Sequence, residues 1–394
     1  MSNASHPNSK TRRQFLLEAG LATSAVLLPS SSLWAQPKKT SPFKTEHVIF
    51  VAFAGGVRSR DTIGTPQNIP NLMRIAKQGV IMPNISVENL GHYGAQLSLF
   101  TGNWEVKGIR EYARGENPTI FEYCRKQLNW DSQKVWLSTS AGNQQTNFSY
   151  STHKDYGAPF GANLISGDGV FNAEFKEVMD KFGRLNETPP AEDELLGKLR
   201  GSLDPSLFEG KSEEITNDLK SQREIEKFIL EELRQNTTGI TGPGAQDAKS
   251  IRVALNIFKV FKPKILGISL NNADVAHSSY NAYLEVIRSA DRELGALFDM
   301  VEKDEELKGK TTLMIMPEFG RDENLNQRNG LDHGERCDEL NKVALIAYGP
   351  DFHQNKIIPT PYQSVDWCPT IATLLGVDPI HSTAKTIRPL FKNA

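Results

Sequence analysis

Short continuous apolar runs, each closed by glycine or by a polar cluster, recur along this chain and predict strands buried on both faces. The first runs from His47 to Ala54 and ends in Gly55-Gly56. Pro70 to Gly79 follows as a short helix, with proline at its start, an apolar stripe through Leu72, Ile75 and Ala76, and a glycine stop. Val80 to Ile85 predicts a second strand. Three later runs, Lys264 to Leu270, Thr311 to Met316 and Val343 to Tyr348, predict central strands. Between Tyr280 and Glu302, apolar residues fall at Tyr283, Val286, Ile287, Ala290, Leu294, Leu297, Phe298 and Val301. That is helical spacing with one apolar face. Strands alternating with helices predict an α/β fold whose sheet is covered on both sides.

The segment from 150 to 248 breaks the pattern. Its first part is rich in Gly, Asn and Ser and its second in charge, so it predicts a largely helical insertion or cap. The N-terminus breaks it differently. Thr11-Arg12-Arg13-Gln14-Phe15-Leu16 is a twin-arginine pattern, followed by a mild apolar stretch to Leu28, then Pro29, a serine run and Leu33-Trp34-Ala35 before Gln36. That stretch falls short of the roughly 20 apolar residues a membrane span needs. Residues 1–36 therefore predict a signal peptide for folded export by the twin-arginine translocase to the periplasm or outside, leaving no stably membrane-inserted segment.

Charge and cysteine narrow the partners. The full chain carries a formal net charge of −2. Loss of Lys10, Arg12, Arg13 and Glu18 with the signal makes the remainder more acidic, which predicts no nucleic-acid partner. Three widely spaced cysteines, Cys124, Cys337 and Cys368, form no zinc-knuckle pattern.

Chemistry is expected just beyond the carboxyl ends of the strands. Polar residues gather at those places: Asp61 after the first strand, Asn89, His92 and Gln96 before an apolar helix, and Asn271 to His277 after the Lys264 strand. Glu318 to Asp322 follows the Thr311 strand, and Asp332-His333 precedes the Val343 strand. Of eight histidines only His92, His277 and His333 lie in such loops beside carboxylates or amides. Imidazole with carboxylate is a ligand set for a divalent ion such as Zn, Mn or Fe, and Ca is a further candidate. Each histidine alone has the plainer alternative of a loop or capping residue.

Four stretches resemble the alkaline phosphatase/sulfatase superfamily: the first strand with its glycine pair, Pro70 to Gly79, the helix end at Thr101-Gly102, and Asp366 to Gly376. The last is similar to the D-x-x-P-T-x-x-x-L-x-G that closes the family's core. A narrower resemblance is to a branch of twin-arginine-exported, sulfatase-like bacterial proteins, carried by Gly55-Gly56 with Asp61-Thr62, by Glu318-Phe319-Gly320-Arg321 and by Asp332-His333. The resemblance implies an alkaline-phosphatase-like three-layer sandwich over residues 44–394. It also implies a metal-dependent hydrolase of phosphate or sulfate esters, acting on a small anionic substrate.

The family's working residues transfer only in part. Ala54 stands where the resemblance places a metal-binding Asp, His92 where it places the Ser, Thr or modified Cys nucleophile, and Glu318-Phe319 where it places Asp-His. Asp274, His277 and His333 remain as ligands of one divalent ion, with Asp332 beside them. The expected roles are catalytic for His92, Glu318 and Arg321, with Arg321 pairing with the substrate anion, and substrate-binding for Asn89, Gln96 and Asp61. The alternative expectation is a catalytically inactive binding or assembly protein on the same scaffold. For Arg321 and Glu318 the plainer expectation is an ion pair that pins two loops.

Overall fold

A computed structural model describes residues 41–105, 113–140, 147–166 and 239–393. The signal segment and most of the expected insertion lie outside these residues. No helix among the described residues is long and apolar enough to cross a membrane.

The centre is a nine-stranded, mostly parallel sheet. In chain order its strands are β1 (His47–Phe53), β2 (Val80–Ser86), β3 (Val135–Thr139), β4 (Asn163–Ser166), β5 (Ile265–Leu270), β6 (Thr311–Pro317), β7 (Lys342–Tyr348), β8 (Lys356–Ile357) and β9 (Tyr362–Gln363). They lie in the order β4-β3-β5-β1-β6-β7-β2-β8, with β9 also on β2. β1 pairs in parallel with β5 on one side and β6 on the other, Val48 facing Ile265 and Thr312. β7 is antiparallel to both β6 and β2, so the Val343 run is a strand as expected but reversed against its neighbours.

Every residue of β1, β5 and β6 is buried, which is why each reads as an unbroken apolar run. Alternate residues of β1 divide between two cores. Ile49, Val51 and Phe53 pack with α1 (Pro70–Ala76), α4 (Ala245–Phe261) and α5 (Tyr280–Lys303). Val48, Phe50 and Ala52 pack with α2 (His92–Thr101), α3 (Ile120–Leu128) and α7 (Trp367–Leu375). The protein is thus the expected three-layer sandwich. The remaining α-helix among the described residues, α6 (Asp338–Asn341), is a single turn leading into β7.

Local chemistry sets the helix ends. Ser279 caps α5 by accepting from Ala282 N at 3.2 Å, and Thr119 with Glu122 forms a reciprocal capping box at α3. α2 stops at Gly102, whose left-handed φ of +70° suits glycine. β4 and the first turn of α4 fall within the span read as an insertion, yet β4 pairs with β3 at the sheet edge. The body of the fold therefore extends into both ends of that span.

Candidate metal centre

Three loops and the start of a helix meet beyond the carboxyl ends of β1, β5 and β6. Ala54-Gly55-Gly56 leaves β1, a short 3₁₀ turn (Asn272–His277) leaves β5, and Glu318 to Leu331 leaves β6. α2 brings His92 in as its first residue. These loops approach one another at van der Waals distance. A Cβ on Gly55 would lie 2.3 Å from the backbone N of Asp274, so only glycine fits there.

His92, Asp274, His277 and His333 present side-chain atoms that all lie within 4.8 Å of one another. His92 Nδ1 donates to Glu318 Oε1 at 2.6 Å, with the carbonyl of Ala54 at 2.9 Å, and its Nε2 lies 3.1 Å from Asp274 Oδ1. The 3₁₀ turn sets Asp274 and His277 three residues apart on one side, with His277 Nε2 3.4 Å from Asp274 Oδ1. Asp332 Oδ1 accepts from His277 Nδ1 at 2.7 Å, which fixes the tautomer and turns Nε2 inward. The ring of His333 lies 4.9 Å, centroid to centroid, from those of His92 and His277.

The electrostatics follow from burial among these charges. Burial alone would lower His92, but Glu318 and Asp274 override it and hold its pKa up at about 10. Burial pushes Glu318 upward against the pull of His92 and Arg321. For Asp274 the burial effect is outweighed by His92 and Arg321, so its carboxyl stays well below the usual range. Burial lowers His333 to about 4, helped by the positive charge on His92 and Arg321.

Arg321 lies beneath this group with a fully buried side chain. All three of its nitrogens meet protein acceptors. Nε and Nη2 donate to Gly55 O, Nη1 donates to Leu331 O and to His277 Nε2 at 3.1 Å each, and Nη2 donates to Asp274 Oδ1 at 2.6 Å. Arg321 is thus an internal strut, with donors from each nitrogen directed at protein acceptors.

The other expected residues separate in the same way. Asp332 stands behind His277 rather than in the four-residue group, where His92 takes its place. Asp61 is paired with Arg58 at 2.7 and 3.1 Å and accepts from Tyr280 Oη at 2.8 Å, so it fastens the loop after β1. Asn89 shapes the turn into α2 by accepting from Gly91 N and donating to Glu105 O. Gln96 is buried one turn beyond His92, where its Oε1 accepts from Ser269 Oγ at 2.9 Å while its Nε2 has no partner. Glu318 Oε2 is likewise buried without a partner.

Two residues had no role assigned from the sequence. Asp322 accepts from Gly334 N and Glu335 N and so anchors the His333 loop. Phe319, fully buried, lays its ring 5.0 Å from His92 and 5.1 Å from His333 and closes one wall of the group. Both lie in the Glu318–Asp322 stretch that the sequence had marked.

No protein-family model and no curated protein matches the sequence. Solved structures do match the fold. A variant of the alkaline phosphatase PafA superposes with a TM-score of 0.57, at 11% identity, over 88% of this chain and 99% of that one. Wild-type PafA gives 0.55, at 11% identity, over 89% and 99%. This is the alkaline phosphatase fold. The lipoteichoic acid synthase LtaP from Listeria monocytogenes matches with a TM-score of 0.50, at 11% identity, over 91% of this chain and 78% of that one. At such identities the likeness concerns the scaffold, and the residues of the centre have to be judged by their own geometry.

Proposed function

We propose that this chain is an exported hydrolase of phosphate or sulfate esters, belonging to a sulfatase-like branch of its fold and working with one divalent ion. The observation that carries this reading is the convergence of His92, Asp274, His277 and His333 within 4.8 Å. Three histidines and a carboxylate suit a borderline divalent ion such as zinc, and the Asp332–His277 bond is the support that a ligating histidine usually has.

In this reading Asp274, His277 and His333 hold the ion. When bound, it supplies Lewis-acid stabilisation of charge on the ester oxygens. Glu318 grips His92 through Nδ1, which leaves Nε2 inside the group, 3.1 Å from Asp274 Oδ1, as the nitrogen that would give a proton to a leaving oxygen. Arg321 contributes a fixed positive charge and keeps the β1 and β5 loops in register. Ser98 and Thr101 offer no nucleophile, because their hydroxyls donate back to Gly94 O and Leu97 O within α2. In this reading water is the attacking group.

A second reading, an inactive binding or assembly protein, is favoured by one specific feature: the Arg321 donor on His277 Nε2 competes for the lone pair that an ion needs. One experiment separates the two. Native protein is analysed for bound metal and assayed against aryl phosphates, phosphodiesters and sulfates, beside the double variant His277→Ala/His333→Ala. Metal and activity that disappear together support the hydrolase. Metal content and activity unchanged in the double variant would end it. Export through residues 1–36 is tested separately by sequencing the N-terminus of secreted protein, which should begin at Gln36 or Pro37.

A further inference from the structure

A cleft of about 440 Å³ opens directly beside Asp274, between the 3₁₀ turn after β5 and the start of α4. Its size is that of a pocket for a small molecule. Whatever anionic group meets the four-residue centre, the remainder of the same molecule has this space next to it.

The lining decides what kind of group fits. Three residues with side-chain amides line the cleft, Gln246, Asn271 and Asn272, over a small apolar patch from Val275 and Val286. Asn272 Nδ2 donates to Gln246 Oε1 and its Oδ1 accepts from Asp247 N, which leaves the Gln246 Nε2 open among the described residues. The amide of Asn271 makes no hydrogen bond among the described residues, so it retains both donor and acceptor capacity. Among the described residues, neither lysine nor arginine lines the cleft, and neither does an aromatic ring. A second anionic group would find no cation among them, and a nucleobase or aryl group no stacking partner.

The start of α4 does not supply the missing positive charge. Asp247, fully buried in its first turn, accepts from the backbone N of Asn271 and Asn272 and already offsets the helix end. Beside the Asp274 carboxylate, what the described lining offers is neutral donors and acceptors and glycine backbone at 242 and 244.

We propose that this cleft binds the neutral, hydroxyl-bearing part of the substrate, a glycosyl or polyol unit whose ester group lies at the centre. The proposal rests on the hydrolase reading above. The Asn271 amide, with its donor and acceptor both open, and the Gln246 Nε2 donor match hydroxyl groups, which donate and accept at once.

The test uses the full chain loaded with zinc. Calorimetric affinities are compared for glucose 6-phosphate and glucose 6-sulfate against phenyl phosphate and phenyl sulfate. The sugar esters are expected to bind about tenfold tighter than the phenyl esters carrying the same anion. In Asn271→Leu and Gln246→Leu that ratio should fall toward one, while zinc content stays at the wild-type level. Both positions are partly or wholly solvent-exposed, so folding should survive, and circular dichroism checks it. Phenyl esters binding as tightly as sugar esters, or a ratio that neither variant changes, would overturn the proposal while zinc uptake leaves the hydrolase reading standing. A chain that takes up no zinc overturns both.

Discussion

Replacing Arg321 with methionine keeps much of the bulk beneath the centre and removes every donor. Two buried carbonyls, Gly55 O and Leu331 O, then lose their partners. Leaving a buried acceptor unsatisfied costs about 1–3 kcal/mol each, so the pair should cost about 2–6 kcal/mol. The ion pair with Asp274 adds little to this figure, because that carboxylate is 40% exposed and screened by solvent. Such a loss is a large part of the roughly 5–15 kcal/mol that stabilises a typical domain. The assay is urea unfolding of metal-free protein at pH 7.5, which keeps metal binding out of the comparison. Taking an m-value of about 3 kcal/mol/M, the midpoint should fall by about 0.7–2 M. Arg321→Lys should recover only part of this, since a single ammonium cannot span Gly55, Leu331 and Asp274 together. A midpoint within about 0.3 M of wild type for Arg321→Met would show that the strut carries no weight.

Three further outcomes follow from the geometry. Asp332→Asn weakens the hold on His277 Nδ1, and zinc affinity measured by competition with a chelator should drop about 10- to 100-fold with little change in stability. Glu122 is fully buried and accepts from Thr119 N, Ser151 N, Ser151 Oγ and Gly157 N, so Glu122→Ala should cost about 3–5 kcal/mol in urea unfolding, whereas Glu122→Gln, which keeps an acceptor oxygen, should cost less. His47 has its pKa lowered by burial below the ordinary 6.5, so the unfolded chain binds the extra proton. Its contribution is intact above pH 6.5 and is lost as pH falls from there toward the depressed folded value; His47→Gln should therefore narrow the gap between urea midpoints at pH 7.5 and pH 5.5.

Elements that are buried on both faces were legible in the sequence, because burial removes polar residues and leaves a plain apolar run. β1, β5, β6 and α5 all lie within a residue or two of their expected bounds. β3 and β4 carried no such signal. β3 is short and ends in Ser138-Thr139, whose burial depends on tertiary partners such as the Ser138 hydroxyl bond to Ser250 O. β4 sits at the sheet edge, within a span whose glycine and asparagine content reads as loop. The reversed direction of β7 was equally hidden, since an apolar run reads the same whichever way its neighbours point.

At the centre, the strand-end positions of His92, Asp274, His277 and His333 were visible as a pattern before their distances were known. The division of labour was not. Whether a carboxylate faces a substrate or an arginine depends on what the fold brings beside it. Asp61 meets Arg58 three residues away, and Arg321 reaches back to Gly55 across more than two hundred residues. Short-range spacing reveals the first kind of pair more readily than the second.

The pairing of β1 has a consequence for the order in which the protein is made. β1 leaves the ribosome early, yet its neighbours in the sheet begin at Ile265 and Thr311. Its edges stay open until most of the chain has been synthesised, and until then the exposed apolar ribbon invites wrong partners and chaperones. The four residues that could hold a metal are scattered in the same way, from His92 to His333, so a chain stopped short of His333 lacks one of the four. If an ion is held there, its capture at full affinity would wait for the later part of the chain, and the strand synthesised first is the one whose neighbours arrive last.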